Sequence, residues 1–121
     1  MEIAMVVRTF ALVAMAILVG QPVVAEEDAP AGSTKTGEEL YAKQGCYECH
    51  GWVAQGANFS GPRIAPPVLP YESFLEQIRQ PRSDMPPYSE RVLTDKQLAD
   101  IYAFLQTIPE PPDRKTIPLL Q

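Results

Sequence analysis

The sequence predicts an all-α domain of three to four short helices. Residues 71–80 and 94–108 carry apolar residues at helical spacing, and no stretch gives the alternating signal of a half-buried strand. Proline accounts for 13 of the 121 residues, about twice the usual 5% share. Because proline removes a hydrogen bond from a central strand, this content disfavours long sheets. We therefore expect short helices joined by proline-rich loops.

The first two helices are predicted from apolar spacing. Thr36 can cap a helix that runs to residue 45. Its residues at helical spacing are Gly37, Leu40 and Tyr41. A second helix fits residues 71–80, which lie between prolines. Its predicted buried face consists of Tyr71, Phe74, Leu75 and Ile78.

The last helix has the clearest boundaries. Thr94, followed three positions later by Gln97, forms a predicted capping box. Pro109 cannot continue the helix, which should end near residue 108. The predicted buried stripe consists of Leu98, Ile101, Tyr102 and Leu105, widened by Phe104.

The longest connection, residues 51–70, is predicted to be loop throughout. Glycines and prolines interrupt every possible period in it. A loop of this length is uncommon in a compact domain. We therefore expect it to wrap around a group that is not protein.

The N-terminal segment, residues 1–25, is interpreted as an export signal peptide. Arg8 precedes an uncharged apolar block that ends in the small-residue pattern of a cleavage site, Val23-Val24-Ala25. A retained membrane anchor is the alternative. The block is interrupted by Pro22 and is shorter than the ~20 apolar residues that a spanning helix needs. Cleavage is therefore favoured over retention, and the protein is expected to be exported to the periplasm.

Three further parts follow the signal segment. Residues 26–35 have no apolar period and are predicted to be a flexible leader. Residues 36–108 form the predicted folded domain, and residues 109–121 form a proline-rich tail.

The composition limits the possible partners. The chain has 10 Lys and Arg against 15 Asp and Glu, which gives a net charge of -5. Nucleic acid is excluded as a predicted partner, since binding to phosphates requires a basic surface. The 45% hydrophobic and 21% charged content is that of a folded protein.

The chemistry is concentrated in the motif Cys46-Tyr47-Glu48-Cys49-His50. Cys-x-x-Cys-His is the signature of covalent haem attachment, in which both thiols add to haem vinyl groups and the imidazole binds iron. A redox dithiol or half of a zinc site are the alternatives. Zinc would require about four protein ligands, whereas the chain has two cysteines and one histidine. A thioredoxin-like fold would require strands, for which there is no signal.

Met85 is the predicted second iron ligand. The other three methionines lie in the signal segment, so Met85 is the only one downstream of it, as His50 is the only histidine. Methionine usually fills a core. Met85 instead lies in a loop, followed by the stiff residues Pro86 and Pro87. This placement favours ligation of haem iron by His50 and Met85.

Taken together, these residues resemble those of a small bacterial class I c-type cytochrome with one haem. The likeness covers roughly residues 36–108. The residues that carry it are Gly37, Tyr41, Cys46, Cys49, His50, Gly61, Pro62, Ile64, Met85, Pro86, Ile101 and Phe104. The resemblance implies a small cytochrome c fold wrapped around one haem c attached through Cys46 and Cys49. It also implies that the first and last helices cross, with a glycine allowing close approach.

The resemblance assigns Pro62 a part in cofactor binding. The family's proline carbonyl receives the ring N–H of the iron-binding histidine, which fixes the tautomer of the ring. Ile64 stands where leucine is commoner, and the loops between His50 and Met85 are shorter than in mitochondrial cytochromes.

Haem propionates require hydrogen-bond donors. The candidate donors are Arg63, Arg79 and Arg82, of which Arg79 is favoured because it ends the second helix near the methionine loop. The alternative is that all three are solvated surface charges. Trp52 and Tyr88 are weaker candidates, since a buried Trp or Tyr seeks a partner in any protein.

A covalent haem with both axial positions filled has no site for a substrate, so we predict one-electron transfer rather than enzymatic catalysis. The expected role is a carrier in a periplasmic redox chain. Its partners would be a dehydrogenase, a quinol-oxidising complex or an oxidase, with membrane contact only if the N-terminal segment is retained. One alternative is a dedicated cytochrome subunit of a periplasmic dehydrogenase complex. The other is a haem enzyme or sensor in which Met85 leaves the iron.

Overall fold

The fold is known from a computed structural model that describes residues 29–120; the predicted signal peptide, residues 1–25, lies outside them. The helices of this part are α1, Thr34–Lys43; α2, Cys46–His50; α3, Tyr71–Arg79; and α4, Asp95–Gln106. Two short 3-10 turns follow, Arg114–Thr116 and Pro118–Leu120. Residues 29–120 contain no strand, only an isolated bridge between Ala57 and Gly61. The predicted all-α fold is confirmed.

Helix α1 begins earlier than the sequence predicts. Its cap is Ser33, whose Oγ accepts the N–H of Thr36 at 3.3 Å. The prediction of Thr36 as the cap was wrong, because the N–H of Ser33 is itself held by the Asp100 carboxylate at 2.7 Å. Thr34 and Lys35, predicted to belong to the flexible leader, are therefore helical. The helix ends at Lys43 rather than at residue 45.

Helices α1 and α4 cross in close contact. A Cβ added to Gly37 would collide with the carbonyl group of Asp100 on α4. Tyr41 and Phe104 pack across the same pair, with ring centroids 5.5 Å apart. The glycine is therefore required by the approach of the two backbones.

Helices α3 and α4 pack through aromatic rings. The ring of Tyr102 lies 5.1 Å from that of Tyr71 and 5.2 Å from that of Phe74, measured between centroids. The predicted buried stripe of α4 is confirmed for Leu98, Ile101, Tyr102 and Leu105, while Phe104 is half-buried. On α3, Tyr71, Phe74 and Ile78 are buried and Leu75 is half-buried.

The boundaries of α3 and α4 follow local hydrogen bonds. The capping box is present, with the Gln97 N–H bonded to Thr94 Oγ1 and the Thr94 N–H bonded to Gln97 Oε1. The helix ends at Gln106 rather than near residue 108, since Ile108 bonds the carbonyl of Leu105 and so tightens the last turn. Helix α3 ends at Arg79, one residue before the predicted end.

Residues 51–70 form the predicted long loop. Ala54 and Ala65 are buried in it, and the carbonyl of Ala54 accepts the N–H of Ile64 at 3.0 Å. The loop is therefore folded upon itself and against the core. Within residues 29–120, no helix combines the length and the apolar character that crossing a membrane requires.

We expect Gly37→Ala to lower the free energy of unfolding by about 1–3 kcal/mol, because the new Cβ would force α1 away from α4. Urea unfolding followed by circular dichroism measures this loss. Glu38→Ala, at an exposed position of the same helix, is the control. Equal losses in the two variants would contradict the close crossing.

Candidate functional site

Helix α2 places the motif residues on one turn. Gly45, at φ 74°, precedes this turn and Gly51, at φ 78°, follows it. Cys49 and His50 lie three and four positions after Cys46, and residues at these spacings share one face of a helix. His50 is buried, Cys46 is half-buried and Cys49 is exposed, and both thiols are free. The turn thus presents two thiols and one imidazole together.

The ring of His50 is held by the long loop. Its Nδ1 lies 2.7 Å from the carbonyl oxygen of Pro62. A carbonyl can only accept, so Nδ1 carries the proton and Nε2 keeps a lone pair for a metal. The contact expected between His50 and Pro62 is present, and it orients the ring as in metal sites of other proteins.

Gly61 allows the loop to come this close to α2. A Cβ on Gly61 would lie 2.7 Å from the carbonyl oxygen of Cys49 and 3.0 Å from its carbonyl carbon. Such distances are too short for any other residue without a shift of the backbone. The glycine therefore helps to place the carbonyl of Pro62 beside the imidazole.

The carbonyl groups at the end of α2 are also bonded. The hydroxyl of Tyr41 on α1 donates to the carbonyl of Gly51 at 2.8 Å. The N–H of Gly56 donates to the carbonyl of His50 at 2.7 Å. The motif is therefore fixed from α1 and from the long loop at once.

Met85 lies in the connection between α3 and α4, half-buried and packed against the hydrophobic core. The segment that follows it is fixed by Tyr88, whose hydroxyl donates to the carbonyl of Gln44 at 3.0 Å. Gln44 directly precedes Gly45 at the start of α2. The structure thus joins the Met85 segment to the chain that leads into the motif.

The three arginines proposed for propionates differ in their surroundings. Arg79 is largely buried and forms an ion pair with Asp95 at 2.6 Å. Arg82 is exposed, 3.9 Å from Glu76. Arg63 is exposed and lines an open depression of about 500 Å³ beside Pro62. Arg79 is therefore bonded to another protein group in the structure. The pairing of Arg79 with a propionate stays a prediction.

Trp52 and Tyr88 lie in different settings. Trp52 is 62% exposed and stacks on Tyr47, with ring centroids 3.8 Å apart. Tyr88 is half-buried, and its hydroxyl donates a hydrogen bond to the carbonyl of Gln44. No sequence pattern predicts this bond, because its two partners lie 44 positions apart along the chain.

Burial raises the pKa of two groups of the site, the Cys46 thiol and the Tyr88 hydroxyl. Removal from water raises the pKa of the Cys46 thiol to about 11, and the neighbouring Cys49 adds a smaller increase. Burial is also the main reason that the pKa of Tyr88 is raised, followed by the charges of Cys46 and Cys49. Both groups therefore stay protonated at neutral pH.

The donor set fits an iron porphyrin better than a bare ion. Within residues 29–120, no group of three or more His, Cys, Asp or Glu side chains is arranged to hold a metal ion, whereas zinc sites use about four ligands. One imidazole, whose Nδ1 is bonded to the carbonyl of Pro62, and two thiols lie on one helical turn and suit a haem, which brings its own four nitrogen ligands.

A helical fold around a Cys-x-x-Cys-His turn defines the class of small c-type cytochromes. The sequence model of the family described as cytochrome c oxidase, cbb3-type, subunit III matches residues 32–105. The chain belongs to this family and carries its c-type cytochrome domain. No curated protein matches the chain significantly. The predicted resemblance is thus confirmed, and with it the assignment to haem-based electron transfer.

We expect the free energy of unfolding to fall as the pH rises above 10. Burial raises the pKa of Tyr41, Tyr71 and Tyr88 above their usual value of 10.0. Above that pH the unfolded chain releases these phenolic protons while the folded chain retains them, so alkali favours unfolding. Urea unfolding at a series of pH values measures the slope. Tyr41→Phe should lose less stability in alkali than the wild type. If the free energy of unfolding fell equally steeply with pH in both proteins, the raised pKa of Tyr41 would be contradicted.

Proposed function

We propose that the protein is a one-electron carrier of a periplasmic redox chain, with one haem c ligated by His50 and Met85. The observation that carries the proposal is the orientation of His50. Its Nδ1 is bonded to the Pro62 carbonyl, and its Nε2 is left for iron on the turn that presents both thiols. Membership in the family supports it as well.

Each residue of the site has a defined task in this proposal. Cys46 and Cys49 would bind the haem covalently, and His50 and Met85 would take the two axial positions. The haem, when bound, supplies reversible exchange of one electron. The Pro62 carbonyl, bonded to Nδ1, keeps the imidazole in one tautomer and one orientation. Nε2, on the other side of the ring, then stays available to the iron.

The ligand pair explains why electron transfer is favoured over substrate chemistry. With His50 and Met85 both bound to the iron, no position would remain for a substrate. The thioether of Met85 would favour ferrous iron and raise the reduction potential. Such a protein suits the acceptance of electrons from a dehydrogenase or quinol-oxidising complex and their donation to an oxidase.

The protein could act as a free carrier or as a fixed subunit. The matched family is described as a subunit of a cbb3-type oxidase, which favours an oxidase complex as the partner. A subunit of a periplasmic dehydrogenase is the other possibility. Purification of the native protein under mild conditions, with identification of the accompanying chains, distinguishes these roles. Retention of residues 1–25 in that protein would indicate a membrane anchor instead of a cleaved signal peptide.

We expect Met85→Ala to keep the covalent haem but to open the sixth position of the iron. Carbon monoxide should then bind the ferrous protein about tenfold faster or more, and the reduction potential should fall because the soft thioether is lost. Stopped-flow absorbance and a redox titration measure the two effects.

Leu75→Ala is the control for Met85→Ala, because Leu75 is also half-buried and packed against the core but lies on α3. It should retain the spectrum and carbon monoxide kinetics of the wild type. An unchanged low-spin ferric spectrum and potential in Met85→Ala would exclude Met85 as the ligand. Rapid carbon monoxide binding by the wild type would favour the sensor or enzyme alternative.

We expect reduction by a basic redox partner to slow as salt rises, because the chain carries a net charge of -5. Such a charge accelerates encounter with a basic partner, and ions screen it over ~8 Å at physiological salt. Stopped-flow reduction over a range of ionic strengths checks this. A rate that climbs with salt would show that the docking face is basic or that the partner is acidic.

A further inference from the structure

Tyr88 makes more polar contacts than any sequence signal for it suggested. It lies after the two prolines that follow Met85. Its N–H donates to the carbonyl of Ile78 at 3.0 Å, and its own carbonyl accepts a hydrogen bond from Arg79 Nη1 at 2.7 Å. Its hydroxyl donates to the carbonyl of Gln44 at 3.0 Å. The residue is thus bonded both to the end of α3 and to the end of α1.

The chain between Met85 and Tyr88 has little freedom of its own. The rings of Pro86 and Pro87 fix one backbone dihedral each. A residue that precedes proline is also restricted, which applies to Met85 and to Pro86. Whatever fixes Tyr88 therefore also limits where Met85 can lie.

The Tyr88 hydroxyl donates to the carbonyl of Gln44, which lies next to the haem-binding motif in the chain. Gln44 is the C-cap of α1 and directly precedes Gly45, the N-cap of α2. The bond therefore joins the segment that carries Met85 to the segment that carries Cys46, Cys49 and His50. The bonded residues are 44 positions apart in the chain. The bond thus connects the two segments that would contribute the two iron ligands.

Arg79 strengthens the same connection from the other end. Its Nη2 is paired with Asp95, the first residue of α4, at 2.6 Å, while Nη1 holds the carbonyl of Tyr88. Arg79, at the end of α3, therefore links the start of α4 to Tyr88, which directly follows the Met85-Pro86-Pro87 segment. The hydroxyl of Tyr88 is the bond that relates this segment to α2.

We propose that Tyr88 is a positioning residue whose hydroxyl ties the Met85 segment to α2 and slows the departure of Met85 from the iron. The inference rests on the proposed ligation by His50 and Met85. It adds that the lability of the methionine ligand is controlled by a residue that is not itself a ligand of the iron.

The test is Tyr88→Phe in the haem-loaded protein. The substitution keeps the ring and both backbone hydrogen bonds and removes only the bond to Gln44. We expect carbon monoxide to bind the ferrous variant about fivefold faster than the wild type, the effect of losing one ordinary hydrogen bond. The ferric methionine-to-iron charge-transfer band should persist, since Met85 itself is unchanged.

Tyr102→Phe is the matched control. The Tyr102 hydroxyl donates to the carbonyl of Leu69 at 2.9 Å, so the control removes a similar bond from α4 to the long loop. Thermal unfolding of both variants by circular dichroism establishes that each is folded at the temperature of the kinetics. The control should bind carbon monoxide at the wild-type rate.

The outcomes separate this inference from the proposal on which it rests. If the wild type shows the methionine band and Met85→Ala binds carbon monoxide faster, but Tyr88→Phe behaves as the wild type, the inference alone is overturned. Equal acceleration in Tyr88→Phe and Tyr102→Phe also overturns it, since the effect would then be general loosening. If the wild type lacks the methionine band, the ligand assignment and the inference are both overturned.

Discussion

The close crossing of α1 and α4 is the contact on which the position of the site depends. Gly37 lies against the backbone of Asp100, and no side chain fits between them. The carboxylate of Asp100 is buried and accepts the N–H of Ser33 and an ion pair from Lys96, which offsets the cost of placing its charge inside the protein. Because α2 follows α1 directly, this crossing also fixes the turn that carries the motif.

The site itself consists of one local part and one distributed part. The local part is α2, in which the spacing of Cys46, Cys49 and His50 alone puts the three groups on one face. The distributed part comes from the long loop, which supplies the carbonyl of Pro62 to the histidine ring. The connection between α3 and α4 carries Met85, the proposed second ligand, packed against the hydrophobic core.

Arg79 contributes to the folding of the connection that carries Met85, because it is bonded to Asp95 and to the carbonyl of Tyr88. Its pairing with a haem propionate stays a prediction. Arg63, beside Pro62, is exposed and lines an open depression of the surface.

The sequence by itself determined what depends on local spacing. The all-α fold, the capping box of Thr94 and the buried stripe of α4 follow from neighbours three or four positions apart, and so does the geometry of the motif turn. Tertiary structure decided the rest. The start of α1 depends on Asp100, and the environment of Tyr88 depends on Gln44. These partners are distant in sequence, and no local pattern records a hydrogen bond that forms only when the chain has folded.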